Sequence, residues 1–159
     1  MTFYRHFAYV LSIAILLLAC NTKKPAGANS SSRYDLLNPF VIKMPADLAE
    51  ISGIVYYPKD TSVFAIEDED GIFYKIYLNK NSEIKKWRFD KKHDYEDLVL
   101  HDSIFYVLIS NGDIESLQFT GDSISSRKFL FPDASKKTNE FESLYFDDSL
   151  KQLILLCKD

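Results

Sequence analysis

The sequence is poor in the residues that most often build a covalent framework or a catalytic site. Its 159 residues include 2 Cys, 3 His and 5 Gly. Two cysteines cannot form a disulfide framework, and no His/Cys cluster has zinc-ligand spacing. The sequence contains no Gly-x-Ser-x-Gly elbow and no phosphate-binding glycine loop. These absences exclude the common zinc sites, serine hydrolases of the elbow type and P-loop enzymes.

Positive charge is also in short supply. The chain carries 19 Lys and Arg against 23 Asp and Glu, which gives a formal charge of −4. This balance is unsuited to binding a phosphate backbone, so we expect no nucleic-acid partner. Aromatic residues are plentiful at 14% of the chain, and their abundance favours β-sheet.

The N-terminus has the pattern of an export signal. Arg5 precedes an apolar run from Phe7 to Ala19, which is shorter than the ~20 residues of a membrane-spanning helix and fits a signal peptide. The run ends in Leu17-Leu18-Ala19-Cys20, which resembles the bacterial lipobox, whose cysteine carries acyl chains such as palmitate. We therefore predict a signal peptide over residues 1–19 and lipidation at Cys20. An ordinary signal peptide with a chance cysteine and an uncleaved anchor are the alternatives.

The predicted domain order follows from this anchor. Residues 20–33 comprise the lipidated Cys20 and a Lys-, Ser- and Asn-rich tether, and residues 34–159 form the folded domain. The lipid would hold the domain at the plasma or outer membrane, on the periplasmic or extracellular side of the cell envelope. Cys157 follows an apolar run, which predicts a buried, inert thiol.

The folded part repeats with a period near 45 residues. Three stretches align: Glu50-Ile51-Ser52-Gly53-Ile54, Asp94-Tyr95-Glu96-Asp97-Leu98 and Glu140-Phe141-Glu142-Ser143-Leu144. Repeats of this length with four strands each are typical of β-propeller blades. We predict an all-β fold of about two and a half four-stranded blades, which would be part of a larger ring. A β-sandwich of short strands is the alternative.

The predicted strands follow the apolar runs between the turns. They are 51–57, 62–66, 72–78, 83–89, 95–100, 104–109, 114–120, 123–131, 142–146 and 152–157. Asn111-Gly112 is a hairpin signal.

The repeated motifs resemble those of the SdiA-regulated propeller family, also called the YjiK/CarP type. The resemblance covers Leu48 to Asp159 and rests on Ala49–Ile54, Asp94–Leu98, Phe141–Leu144 and Leu155–Asp159. Asp97 and Ser143 depart from it, because that family usually has glycine at both positions. The resemblance implies a propeller in the bacterial envelope, and it suggests a link to calcium and a distant likeness to phytase-type propellers.

The repeat places three polar residues at equivalent positions. Ser52, Glu96 and Glu142 each occupy the third place of the motif, and strand alternation would put Ser52 on the side of Ile54 and Glu96 on the side of Leu98. We predict a ring of these residues that binds a polar ligand or a hard cation such as Ca²⁺. The alternative is that the groups cap strand ends or pair with Lys and Arg. Secondary candidates are Glu50, Glu67, Asp68, Asp70, Asp94 and Glu140.

Two classes of function fit these features. The first is a non-catalytic envelope lipoprotein that binds an unidentified small molecule or a protein partner, with calcium as a candidate cofactor. The second is a Ca²⁺-dependent, phytase-like phosphoesterase, in which the metal would activate water. No Lys or Arg set at repeat-equivalent positions is evident to hold phosphate, so the binding protein is preferred. A second half-propeller or a homo-oligomer would complete the ring.

Overall fold

The computed structural model describes residues 39–44, 46–78, 83–132 and 140–158. The predicted signal peptide, Cys20 and the tether lie outside these residues. A short 3₁₀ helix spans Ala46–Leu48. The strands are β1 (Ile51–Tyr57), β2 (Ser62–Glu67), β3 (Ile72–Tyr77), β4 (Ile84–Arg88), β5 (Tyr95–His101), β6 (Ile104–Ile109), β7 (Ile114–Thr120), β8 (Ser123–Phe129), β9 (Glu140–Asp147) and β10 (Gln152–Lys158).

The ten strands form three antiparallel sheets in chain order. Sheet I contains β1-β2-β3-β4, sheet II contains β5-β6-β7-β8, and sheet III is the hairpin β9-β10. The all-β prediction is therefore confirmed, and each of the ten strands predicted above is present with ends that differ by two residues or fewer. The sheets are consistent with propeller-like blades, and the described residues form no closed ring.

The residues of the β6–β7 turn explain where that hairpin closes. Asn111 Oδ1 accepts a hydrogen bond from the Asp113 backbone N–H at 3.0 Å, and Gly112 adopts a φ of 91° between them. A residue with a side chain rarely adopts that φ, so the glycine permits the turn. The Asn-Gly pair thus marks the β6–β7 hairpin, as its sequence predicts.

The first strand of each sheet packs beside the first strand of the next. We call β1, β5 and β9 the inner strands; β1 lies beside β5, and β5 lies beside β9. Backbone hydrogen bonds join the units in a repeated way. The Tyr95 N–H donates to the Asp68 carbonyl at 2.8 Å, and the Phe141 N–H donates to the Ser110 carbonyl at 2.8 Å.

The largest apolar core lies between sheets I and II. Phe64 and Phe73 from sheet I stack at 4.9 Å between ring centroids, and Phe105 from sheet II approaches Phe64 at 4.5 Å. All three rings are buried. Alternation along β2, β3 and β6 brings these side chains to facing surfaces, so their burial holds the two sheets together.

Two smaller clusters flank this core. Between sheets II and III, Leu108 and Ile114 pack with Phe141 and Leu144. On the other side of sheet I, Leu48 packs on the middle strands β2 and β3. The Tyr74 hydroxyl donates to the Asp47 carbonyl at 3.0 Å. The 3₁₀ helix therefore covers one face of sheet I ahead of β1.

Candidate functional site

Each inner strand contains one extra residue near its start. The pairing register shifts between Ile51 and Gly53 in β1 and between Tyr95 and Asp97 in β5, so Ser52 and Glu96 are bulge residues. In sheet III, Leu156 pairs with Ser143 and Cys157 pairs with Phe141. Glu142 therefore has no partner in β10 and is the bulge residue of β9. The three candidate residues thus occupy equivalent places in three different strands, which we call the bulge positions.

The bulges overturn the simple alternation expected in these segments. Tyr95 and Leu98 are three residues apart, yet both are buried in the core between sheets I and II. Phe141 and Leu144 repeat this arrangement between sheets II and III. An extra residue in a strand resets which face the following side chains occupy. Simple alternation therefore does not determine which faces the side chains of Ser52 and Glu96 occupy.

Glu96 lies among like charges. Burial, together with the nearby carboxylates of Asp94, Glu142 and Asp68, raises the pKa of Glu96 to about 7, although Lys158 acts in the opposite direction. Among the described residues, Glu96 is therefore a carboxyl group that changes charge near neutral pH. A strongly shifted carboxyl group surrounded by other polar groups is a common property of binding and catalytic sites.

Three buried side-chain oxygen atoms have no hydrogen-bond partner among the described residues. Asp68 Oδ1 belongs to a carboxylate that acts on Glu96, Ser52 Oγ is at the first bulge position, and Glu115 Oε2 belongs to a separate cluster described below. Buried polar atoms are normally paired, because an unmade hydrogen bond costs ~1–3 kcal/mol. A ligand or water could satisfy them. An open groove of about 510 Å³ adjoins Asp68 and is lined also by Glu69, Lys92, His93 and Asp94.

Glu142 differs from the other two bulge residues in its exposure. Its side chain is exposed, and Lys158 Nζ donates to its carboxylate at 2.9 Å. That ion pair raises the pKa of Lys158. Glu140 is the exposed first residue of β9, and Glu50 precedes β1, with its backbone carbonyl accepting the Asp68 N–H at 3.2 Å.

The carboxylates of the acidic turn between β2 and β3 bind backbone N–H groups of the turn and a nearby lysine. The Glu67 carboxylate accepts the backbone N–H groups of Glu69 and Asp70. Asp70 forms an ion pair with Lys92 at 3.2 Å. These contacts favour the interpretation of the turn as a self-capped hairpin. Across the described parts of the chain, no three Asp, Glu, His or Cys side chains are grouped so as to hold a metal ion.

Asp97 makes a contact that the sequence did not predict. Its two carboxylate oxygens accept the backbone N–H of Leu98 and the backbone N–H of Leu144, each at 2.7 Å. At the equivalent position of β1 stands Gly53, where a Cβ would lie 2.7 Å from the Leu98 nitrogen. Close approach of β1 and β5 therefore requires glycine, whereas Asp97 bridges β5 to β9 with its side chain.

A second polar cluster lies between the sheets and was also not predicted. Glu115 on β7 is 3% exposed, and Lys128 Nζ on β8 is 3.7 Å from its carboxylate. Lys128 also pairs with Asp90, and His93 Nε2 is 3.2 Å from the Asp90 carboxylate. Burial opposes ionisation of Asp90, but the hydrogen bond from Lys128, a backbone hydrogen bond from Lys91 and the positive charge of Lys128 together outweigh it and lower the Asp90 pKa. Burial raises the pKa of Glu115.

This polar cluster joins the segment after β4 to sheet II. Because its members lie far apart in sequence, no local motif could indicate it. Lys128 balances the charge of the carboxylates, although Glu115 Oε2 has no hydrogen-bond partner among the described residues. We assign this cluster to the packing of sheet I against sheet II.

An aromatic cavity of about 210 Å³ lies at the other end of the same two sheets. Lys75 Nζ occupies it, at 5.3 Å from the Tyr57 ring centroid and 4.8 Å from that of Tyr77. Lys75 also pairs with Asp60. The protein's own ammonium group therefore fills the position that a cationic ligand would take.

One prediction about a single residue needs correction. Cys157 is exposed, because it lies near the end of β10, where no described strand or segment covers it. His101 is the last residue of β5, and its ring stacks on Phe146 at 3.6 Å between centroids.

Comparisons with known proteins give no family assignment. No protein-family model matches the sequence. No curated protein matches it either. Among the described residues, no helix has both the length and the apolar character needed to cross a membrane.

Proposed function

We propose that the protein is a non-catalytic lipoprotein of the bacterial cell envelope, in which a propeller-like β domain binds an unidentified ligand, with Ca²⁺ as the candidate cation. Lipidation at Cys20 would anchor it to the plasma or outer membrane. The lipobox-like sequence supports the anchor, and the repeated sheets with their adjacent inner strands support the propeller architecture. The motifs shared with the SdiA-regulated family point in the same direction.

The observation that carries the binding proposal is the environment of Glu96. Burial and the neighbouring carboxylates of Asp94, Glu142 and Asp68 raise the cost of its ionisation, and the buried atoms Asp68 Oδ1 and Ser52 Oγ lack a partner among the described residues. A bound cation would remove the repulsion and accept the free lone pairs. Calcium is the cation suggested by the family resemblance.

No specific observation favours the phosphoesterase. Such an enzyme needs free cationic groups to hold phosphate beside the metal. The lysines described near the cluster are engaged, since Lys158 pairs with Glu142 and Lys92 pairs with Glu69 and Asp70. We therefore retain the binding protein.

The test of binding is the melting temperature with and without Ca²⁺ at pH 8, with NaCl at equal ionic strength as the salt control. A ligand at about 100 times its Kd stabilises the folded state by ~2.7 kcal/mol, which corresponds to several degrees. Glu96→Gln should abolish the rise, whereas Glu83→Gln, at an exposed position just before β4 and outside the candidate residues, should retain it. An unchanged wild-type melting temperature at millimolar Ca²⁺ would refute calcium binding.

The anchor is tested by a separate measurement. Intact mass spectrometry of the native protein extracted from its own membranes should show a chain that begins at Cys20 and carries acyl groups. Cys20→Ser should remove the acyl mass and release the protein from the membrane fraction. A native chain without acyl groups would contradict the lipoprotein assignment and would leave the binding test unaffected.

A further inference from the structure

Two exposed apolar faces lie at opposite ends of the series of sheets. The first, which we call the leading face, comprises Ile51, Ile54 and Tyr56 on β1, and these side chains are 39%, 56% and 52% exposed. The second, the trailing face, comprises Tyr145 on β9 with Ile154 and Leu156 on β10, at 61%, 36% and 60% exposure. Large apolar groups clustered on one surface usually mark a contact site.

The repeat shows what covers such faces elsewhere in the molecule. The pairing registers make Ile54 equivalent to Leu98 and Leu144. Leu98 is 2% exposed because it packs on sheet I, and Leu144 is 5% exposed because it packs on sheet II. Ile54 has the same position in β1, where no preceding sheet is present among the described residues.

The trailing face shows the complementary pattern. Leu156 is equivalent to Ile66 and Leu108, each 0% exposed, since the next sheet covers both of them. Ile154 is equivalent to the buried Phe64. The leading and trailing faces are thus the two halves of an interface that already occurs twice within the chain.

We infer that the trailing face of one chain packs against the leading face of a second copy of this chain, with β9 of the first chain beside β1 of the second, as β1 lies beside β5 within the chain. Such contacts are head-to-tail, because each chain uses a different face toward each neighbour. Leu48 already covers the middle strands β2 and β3 of sheet I, so the partner contacts sheet I along β1, where Ile54 and Tyr56 are exposed. The inference concerns these apolar faces and does not depend on the cation site.

The internal interfaces also predict a polar contact in this assembly. Asp97 accepts the Leu144 N–H across the interface between β5 and β9. Ser143 is equivalent to Asp97, and the Ile54 N–H is equivalent to the Leu144 N–H. In the assembly, the Ser143 hydroxyl of one copy therefore lies beside Ile54 of the next copy.

The first experiment is sedimentation of the full chain in density-matched detergent, over concentrations up to about 100 µM. We expect a weight-average mass at least twice that of one chain. Leu156→Lys should lower the weight-average mass to that of one chain, and its circular dichroism should match that of the wild type. Leu150→Lys is the matched control, because Leu150 is also 60% exposed but lies in the β9–β10 turn, outside the trailing face. A single chain at every concentration would overturn the proposal, as would an assembly that Leu156→Lys leaves intact.

The second experiment tests the head-to-tail geometry by disulfide formation, with Cys157→Ser in every chain. Ser143→Cys and Ile54→Cys are prepared in separate chains, oxidised alone and then oxidised as a mixture. We expect a linked pair in the mixture and none in either variant alone, beyond the level of the Cys157→Ser background. Linkage within each variant alone would indicate a symmetric interface, and no linkage in the mixture would exclude the proposed contact. Either result would overturn the inference.

Discussion

At the residue scale, Gly53 is required by how closely two strands approach. A Cβ at this position would lie 2.7 Å from the Leu98 nitrogen and 2.8 Å from the Leu98 Cβ, so Gly53→Ala must separate β1 from β5. We expect a loss of about 1–3 kcal/mol in the free energy of unfolding, which is the usual cost of overpacking. Urea unfolding followed by circular dichroism measures it.

The matched control for Gly53 is Ser143→Ala. Ser143 holds the equivalent place in β9 and already carries a Cβ, so this change should alter stability by no more than about 0.5 kcal/mol. Equal losses in the two variants would show that the approach of β1 to β5 is not the cause.

Glu96 should make stability depend on pH. Its folded pKa of about 7 lies above the ordinary value of 4.5, so the folded protein holds a proton that the unfolded chain has released between these values. Stability from this group therefore falls as pH rises from 4.5 to 7 and is lost above 7. Glu96→Gln removes the effect, and the variant should gain melting temperature relative to wild type at pH 8 more than at pH 5.

The comparison variant for this titration is Glu140→Gln, since Glu140 is exposed on the same inner strand as Glu142. It should shift the melting temperature equally at both pH values. A Glu96→Gln variant with the same shift at pH 5 and pH 8 would contradict the raised pKa.

At this scale the sequence predicted that Ser52, Glu96 and Glu142 occupy equivalent positions, but it did not predict the bulges or the groups around them. The repeat alignment selected Ser52, Glu96 and Glu142, because equivalent positions share a spacing near 45 residues. The cluster of Asp90, Glu115 and Lys128 is not predictable from the sequence, since its members come together only when sheets I and II pack. Exposure of Cys157 was missed because an apolar run indicates a strand without showing which of its positions are covered.

At the scale of elements, Asp97 holds β5 to β9. Asp97→Ala would leave the Leu98 and Leu144 N–H groups without the carboxylate that accepts them. We expect a loss of about 1–3 kcal/mol for each buried donor left unpaired. Urea unfolding of Asp97→Ala and Asp97→Asn gives the comparison, and the Asn variant should lose less because its amide oxygen still accepts one bond. Wild-type stability in Asp97→Ala would show that solvent replaces the contact.

The strands were predictable because apolar runs and turn residues alternate clearly along the chain. The bulges were not predictable from the same pattern. A bulge inserts one residue into a strand, and its presence depends on how the neighbouring strand pairs. Tyr95 and Leu98 share a face only because Glu96 lies between them outside the ladder.

At the scale of the whole molecule, the three sheets should not be equally stable. Sheets I and II have four strands each and share the largest aromatic core, whereas sheet III has two strands. Regions with less buried surface open more readily. We expect amide hydrogens of β9 and β10 to exchange before those of β2 and β6, in a dilute sample.

Hydrogen exchange followed by mass spectrometry measures this order. At high concentration, association through the trailing face should slow exchange in β10 while leaving β2 and β6 unchanged. Equal protection of all three sheets in the dilute sample would show that they open as one cooperative unit.

The bulge positions have a consequence for how such a protein can diversify. Because each bulge residue stands outside the strand's pairing ladder, its side chain can change while the apolar residues on either side keep their places. The chain already shows this, since a hydroxyl occupies the first bulge and carboxylates occupy the other two. The side chains at the bulges and the apolar residues that build the sheets are therefore separate sets, and substitutions at the bulges should alter surface chemistry without altering the fold.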